Sequence, residues 1–273
     1  MRAIHSLPAC PRPAPLKTVM RASGPDLRPY VLGWAGFRAE AGTEQPTRML
    51  PLNAATLIVD FTGMRATLTG PRSAVTLSPR PLWRHGVALG LTPAGMAALL
   101  GTPMREVTGA IAPLEDLLGA ARAGELAGRL AEQASWAGRF GALERWLADG
   151  LRARAASRGA PGADGLVLHA WWRLQAPAGP HTIGALAGEL GVSRRYLELG
   201  FRRVVGLTPK TVARVARFQR AVHALTRPSA TLGGAVACGY ADQPHLAREV
   251  RAMAELTPKE LFALIQDTGR LTR

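Results

Sequence analysis

The spacing of apolar side chains divides this chain in two. From Leu27 to about Leu91 the period is close to two. Tyr30-Val31-Leu32-Gly33-Trp34 alternates faces, and Thr56-Leu57-Ile58-Val59-Asp60-Phe61 is a short apolar strand. Pro46, Pro51, Gly63, Gly70, Pro71, Pro79 and Pro81 punctuate the stretch as turns between short strands do. After Leu91 the period lengthens to that of a helix. Thr92-Pro93 offers a capping hydroxyl and a proline at the first helical position, for a helix that runs to Leu100 and stops at Gly101. Residues 114–122 and 125–133 read as two short helices. Trp136 to about Arg154 is longer, with Phe140, Leu143, Trp146, Leu147 and Leu151 on one stripe, a core face or a dimer seam. The expected fold class is an α+β N-terminal domain, a small antiparallel sheet or barrel plus helices. An all-α C-terminal domain with two helix-turn-helix units follows it.

The breaks in pattern set expected boundaries. Residues 1–26 are Pro-rich and read as a disordered tail, without the uninterrupted apolar core of a signal peptide, and either Met1 or Met20 serves as a start. Residues 27–154 form a sensor or dimerisation domain. Residues 155–163, Ala-Ala-Ser-Arg-Gly-Ala-Pro-Gly-Ala, are a linker of small residues. Residues 164–268 form the second domain, in which Asp164 caps a helix through Gln175 carrying Leu168, Trp171 and Trp172.

That second domain repeats itself. Leu207-Thr208-Pro209-Lys210 returns 49 positions later as Leu256-Thr257-Pro258-Lys259. Ahead of each lies a small-residue helix, a turn at Gly191 or Gly239, and a second helix rich in Arg. In the first copy Thr182 caps a helix through Leu190, and Ala187 allows close packing. Gly191 supplies the left-handed turn residue and Ser193 caps the next helix. Leu186, Leu190, Val192, Leu197 and Phe201 share a core, which leaves Arg194, Arg195, Glu198, Arg202 and Arg203 outside. In the second copy Gly239 turns the chain, Asp242 caps, Pro244 falls harmlessly in the first turn, and Leu246 and Val250 fill the core. Gln243, Ala247, Arg248 and Arg251 face outward. A helix from Thr208-Pro209 to about Leu225 joins the copies.

Paired helix-turn-helix units place helices in the major groove of DNA. First-turn residues meet base edges. Arg194 and Arg195 fork onto guanine, Glu198 accepts from cytosine, Gln243 suits adenine, and Ala247 touches a thymine methyl. Arg202, Arg203, Arg251 and Lys210 suit phosphates. The formal charge of +15 fits a polyanionic partner, double-stranded DNA. It does not single out the repeat, however. Residues 164–273 carry +7 and the preceding residues +8, and a bias towards Arg codons produces the same excess.

The two units, the long joining helix, Gly206-Leu-Thr-Pro-Lys210 and the run from Cys238 to Met253 resemble the AraC/XylS family of bacterial transcription regulators over roughly residues 164–268. The resemblance implies that Arg195, Glu198, Leu199, Gln243, Pro244, Ala247 and Arg248 occupy base-facing positions. This sequence departs from the family pattern at Glu255, where the first copy has Gly206, at Val250 in place of a large aromatic, and at Pro244 in place of a polar reader. The order of motifs from Arg28 to Gly101 is also similar to the sensor half of an AraC-type subgroup. It implies a small-molecule effector or partner, with RNA polymerase and a second copy as further partners.

Catalytic and metal chemistry find no foothold. The sequence holds no phosphate-binding Gly loop, HExxH or GxSxG. Asp60 and Glu106 are isolated acids, and His5, His85, His169, His181, His223 and His245 do not cluster with Cys10 or Cys238 at metal spacing. No cofactor is expected. Trp34, Trp83 and Trp136 either line a ligand cavity or fill a core. Two cysteines make no disulfide framework and no apolar run is long enough to span a bilayer, so a cytoplasmic protein without a membrane partner is expected. The sequence-level expectation is a sequence-specific transcription regulator. The rivals are a sequence-indifferent architectural DNA protein and an N-terminal enzyme with a DNA-targeting helical half.

Overall fold

The computed structural model describes residues 4–9, 16–39, 46–79, 82–155, 165–177, 182–227 and 229–270. The N-terminal half holds nine strands among the described residues: β1 (Ser6–Pro8), β2 (Leu16–Arg21), β3 (Val31–Ala39), β4 (Thr47–Met49), β5 (Ala55–Asp60), β6 (Arg65–Thr69), β7 (Thr76–Ser78), β8 (His85–Leu91) and, after the first helical turns, β9 (Ile111–Pro113). They form two antiparallel sheets, one of order β1-β4-β7 and one of order β2-β3-β8-β5-β6-β9. Strand β5 is buried along its whole length. That is why its sequence is a continuous apolar run and not an alternation.

Helices then cover the larger sheet. Thr92 caps α1 (Pro93–Gly95) by accepting the Gly95 N–H at 3.0 Å, as its hydroxyl predicts. The turn continues through Met96–Leu100 and ends at Gly101, φ 71°. Next come α2 (Glu115–Leu118), α3 (Ala120–Ala131) and α4 (Trp136–Ala155). The helical break expected between residues 122 and 125 falls instead at Gly119, whose φ of 79° no helix interior accepts. Phe140, Leu143 and Leu147 of α4 are buried, and Trp146 and Leu151 pack against the same cluster. The stripe is therefore a core face. Trp136 lies on β3 at Gly36, where a Cβ would stand 2.3 Å from the indole.

The C-terminal half is helical: α5 (Gly165–Gln175), α6 (Ile183–Glu189), α7 (Arg194–Val204), α8 (Pro209–Leu225), α9 (Leu232–Val236), α10 (Gln243–Ala254) and α11 (Pro258–Arg270). Asp164 and most of the expected linker lie outside the described residues. The two halves are docked over a buried seam. One apolar cluster runs from Val31 and Trp34 of the sheet through Trp171 to Phe201 and Val212. The loop from β4 to β5, Leu50–Ala54, is buried throughout and carries the polar ties. Asn53 donates from Nδ2 to Gln175 Oε1 at 3.2 Å and to the Val212 carbonyl at 3.3 Å, and its own carbonyl accepts from Trp171 Nε1 at 3.2 Å. Gln219 of α8 donates to the Pro51 carbonyl at 2.7 Å.

One expectation is overturned. The Pro-rich start is not a disordered tail where it is described. Residues 6–8 pair with β4, residues 16–21 pair with β3, and a 3-10 turn follows at Pro25–Leu27. Prolines mislead here because Pro8 ends an edge strand, where its missing N–H costs no ladder bond. Ile4 exchanges both backbone bonds with the Gln219 amide, at 3.0 and 3.1 Å, and Leu7 enters the core of the helical half.

His5 sits in that segment, its Nε2 2.9 Å from Thr69 Oγ1 and its ring edge-on to Trp83 at 5.5 Å. Burial, and then the Arg72 charge, push its imidazole from 6.5 down to about 3. The folded state thus resists protonation. The stability held by neutral His5 is complete above 6.5 and is lost as pH falls from there towards 3. The limiting slope is about 1.4 kcal/mol per pH unit. Urea unfolding at about pH 7 and about pH 5 should show the wild type losing about 1–2 kcal/mol more than His5→Gln. Equal losses would remove His5 from the account.

Candidate nucleic-acid interface

The first helix-turn-helix is built by local capping. Thr182 Oγ1 accepts the Ala185 N–H at 3.0 Å and starts α6. Gly191, φ 65°, turns the chain, and the Val192 N–H returns to the Ala187 carbonyl at 3.0 Å. Ser193 Oγ accepts the Tyr196 N–H at 3.0 Å and starts α7. Leu186, Ala187, Leu197 and Phe201 are buried between the two helices and their neighbours, with Leu190 and Val192 at the margin. Arg194, Arg195, Glu198, Arg202 and Arg203 are exposed, as their outward positions predict. Arg194, Arg195 and Arg202 form no ion pair among the described residues. Leu199, on the same outer surface, is 55 % exposed, more than any other large apolar side chain described.

The second unit follows the same plan. Thr231 Oγ1 accepts the Gly234 N–H at 3.1 Å and starts α9. Gly239 turns at φ 110°, and Asp242 Oδ1 accepts the His245 N–H at 2.7 Å to start α10. Leu246 and Val250 are buried; Gln243, Pro244, Arg248 and Arg251 are exposed and Ala247 half-exposed. His245 packs edge-on against Tyr240 at 5.2 Å, and its Nδ1 accepts the Ala241 N–H at 3.3 Å. The joining helix α8 is capped by Thr208, which accepts the Thr211 N–H at 3.2 Å, and Lys210 is exposed in its first turn.

Two features of this surface escaped sequence reasoning. On the inner face of α10, buried Glu249 accepts from Arg214 Nε at 2.8 Å and pairs with Arg217 Nη2 at 3.0 Å, which fixes α10 to α8. The i, i+3 spacing of the two arginines was the available signal. Second, the sheet half holds the far ends of both outer helices. Arg105 Nη1 donates to the Arg203 carbonyl at 3.0 Å, and Thr108 Oγ1 to the Val205 carbonyl at 3.4 Å, at the end of α7. Arg48 Nη1 donates to the Ala254 carbonyl at the end of α10. These carbonyls have no helical partner of their own, and a cation there suits the helix dipole.

The remaining candidates fall elsewhere. Trp34 is buried in the core, Trp136 packs on the sheet, and Asp60 accepts backbone N–H groups from Thr62 at 2.8 Å and Arg84 at 3.3 Å. Glu106 pairs with Arg105 at 2.8 Å. His169 is exposed, and burial pushes the half-buried Cys238 thiol up, away from the thiolate a redox sensor needs. Cys10 and His181 lie outside the described residues. Among the described residues, no group of three or more His, Cys, Asp or Glu is placed to hold a metal, and no helix is long and apolar enough to cross a membrane.

Residues 186–263 match the family described as a helix-turn-helix domain. This is an AraC-type helix-turn-helix domain. The whole fold is similar to the crystal structure of ToxT from Vibrio cholerae O395, with TM-score 0.43 and 10% identity over 95% of this chain and 96% of that one. A second ToxT crystal structure from Vibrio cholerae gives TM-score 0.42 and 10% identity over 91% and 97%. Comparison with curated proteins gives no match.

Within the AraC-type domain the two copies diverge where α7 and α10 end. Gly206 stands at φ 84° and Glu255 at φ 55°. A Cβ on Gly206 would meet Thr108 Oγ1 at 1.9 Å, whereas Glu255 is exposed. Only the first position combines left-handed strain with a close approach. Gly206→Ala should therefore destabilise by at least about 1–2 kcal/mol, from the left-handed conformation alone. Glu255→Gly should stabilise by about 0.5–1 kcal/mol. Denaturant midpoints that move the same way in both variants would refute the distinction.

Proposed function

We propose that this chain is a sequence-specific, DNA-binding transcription regulator whose α7 and α10 enter successive major grooves. The DNA-binding regulator class follows from the AraC-type domain. The reading of bases rests on one observation. Each of two capped helices presents exposed polar side chains at its N-terminal turn, Arg194 and Arg195 on one, Gln243 on the other. Guanidinium forks recognise guanine and a carboxamide recognises adenine, so the two faces read different sequences. Glu198, Leu199, Pro244, Ala247 and Arg248 complete the base-facing set, and Arg202, Arg203, Arg251 and Lys210 contact phosphates. Residues 27–154 act as a sensor or dimerisation domain and residues 164–268 as the reader, under the control of a small-molecule effector.

Binding titrations test the split between readers and phosphate contacts. The duplexes are a site recovered by genomic footprinting and a scrambled control. Arg195→Ala should lose about 1–3 kcal/mol on the specific site only and relax the preference at one base pair. Arg202→Ala should weaken both duplexes alike and flatten the salt dependence by about one unit of slope. Equal losses on both duplexes from both variants would leave the architectural reading.

A further inference from the structure

Arg72 is a cation inside the protein without a counter-charge among the described residues. Its residue is 5 % exposed, and its Nε and Nη2 have no acceptor among the described residues. It forms no ion pair with any described carboxylate. The backbone is held in place, because Arg72 and Leu52 exchange both amide bonds, at 2.7 and 3.0 Å. An arginine stays protonated, and burying its charge unpaired is costly. Burial pulls its pKa below the ordinary arginine value, the direction an unpaired interior cation takes.

The orphaned atoms specify the missing partner. Nε and Nη2 form one edge of the guanidinium, two parallel donors that match the two oxygens of a carboxylate. Further polar groups are close by. The Arg72 charge bears on the His5 ring, which stays neutral, and His5 Nε2 lies 2.9 Å from Thr69 Oγ1. Thr56 pairs with Thr69 across β5 and β6, and its hydroxyl is also buried without a partner among the described residues. Trp83 stands edge-on to His5 and gives an apolar wall.

We propose that Arg72 anchors a binding site for a small-molecule carboxylate, taken two-pronged by the Nε/Nη2 edge, with His5, Thr56 and Thr69 as its polar neighbours. One wall is the segment 4–9, paired with β4 over three residues and anchored by Leu7 in the apolar cluster of the helical half. That same segment is tied through Ile4 to Gln219 of α8, the helix that joins the two DNA-facing units. Occupancy is thereby coupled to the spacing of those units. This deepens the effector reading above and rests on it only for the effect on DNA.

Calorimetric titration and thermal unfolding of the full chain test the site at fixed ionic strength. The probes are acetate, pyruvate and phenylacetate, with inorganic phosphate and uncharged methyl phenylacetate as controls. At least one of the acids should bind once per chain and raise the unfolding midpoint, and neither control should match it. Arg72→Met should abolish that binding while leaving the ligand-free midpoint unchanged or higher, since it removes an unpaired charge. Arg72→Lys should bind about tenfold more weakly, having lost the fork. The proposal falls if none of the acids binds, if phosphate or the ester binds equally well, or if Arg72→Met binds as the wild type does. A sharp drop in the ligand-free midpoint of Arg72→Met would also end it, because the guanidinium would then be paired. Carboxylate binding that survives alongside a failure of the Arg195 test would refute the base-reading assignment and leave this site standing.

Discussion

An arginine of the sheet half meets the last turn of α7 and another that of α10, and these two contacts tie both helix ends to the sheet. A helix ends with carbonyls that nothing in the helix satisfies. In α7 they are taken by Arg105 and Thr108, and in α10 by Arg48. The opposite ends of the same helices carry Ser193 and Asp242 as caps and hold the exposed side chains. Each helix therefore has one end free for a partner and one end fixed to the sheet. Because Arg48 and Arg105 belong to one folded body, the angle between α7 and α10 is a property of that body as well as of α8.

The polar ties at the seam set register more than they add stability. Asn53, Gln175 and Gln219 are buried amides whose bonds replace bonds to water, so their net worth is small while their misplacement is expensive. Glu249 and its two arginines work alike. Removing one partner would leave a buried charge, whereas an apolar replacement of the trio costs little. What such groups impose is a single arrangement, with α8 in one position against the loop Leu50–Ala54 and α10 in one position against α8. The apolar clusters supply the attraction, and the amides and ions choose the alignment.

The features legible in the sequence were those whose partners lie within a few residues. Thr92, Thr182, Ser193, Thr208 and Asp242 each cap the backbone three positions on, so a hydroxyl or carboxylate before an apolar period was enough to place them. The turns at Gly191 and Gly239 were legible for the same reason. What depends on distant partners was not. Ser6–Pro8 becomes a strand because Thr47–Met49 lies beside it, and nothing inside a run of prolines announces that. The loop Leu50–Ala54 looked like punctuation, yet it is the most enclosed polar segment of the seam. Its mixture of apolar side chains with Asn53 was a signal that a local reading of Pro51 concealed. Arg72 was equally silent, because an arginine in a basic chain gives no hint of burial.

The two copies of the repeat show how tertiary contact decides what a position tolerates. Gly206 and Glu255 both adopt the left-handed conformation that ends a helix, and propensity alone calls for glycine at both. At Gly206 the sheet half approaches so closely that no side chain fits beside Thr108, so the strain and the contact both exclude a Cβ. At Glu255 the chain faces solvent, and a modest backbone strain is the whole cost. The difference between the copies therefore records the asymmetry of their docking. The first unit is pressed against its own N-terminal half through the backbone at the end of α7. The second is held there by Leu7 and Leu50, which share its apolar cluster, and by Arg48 at the end of α10.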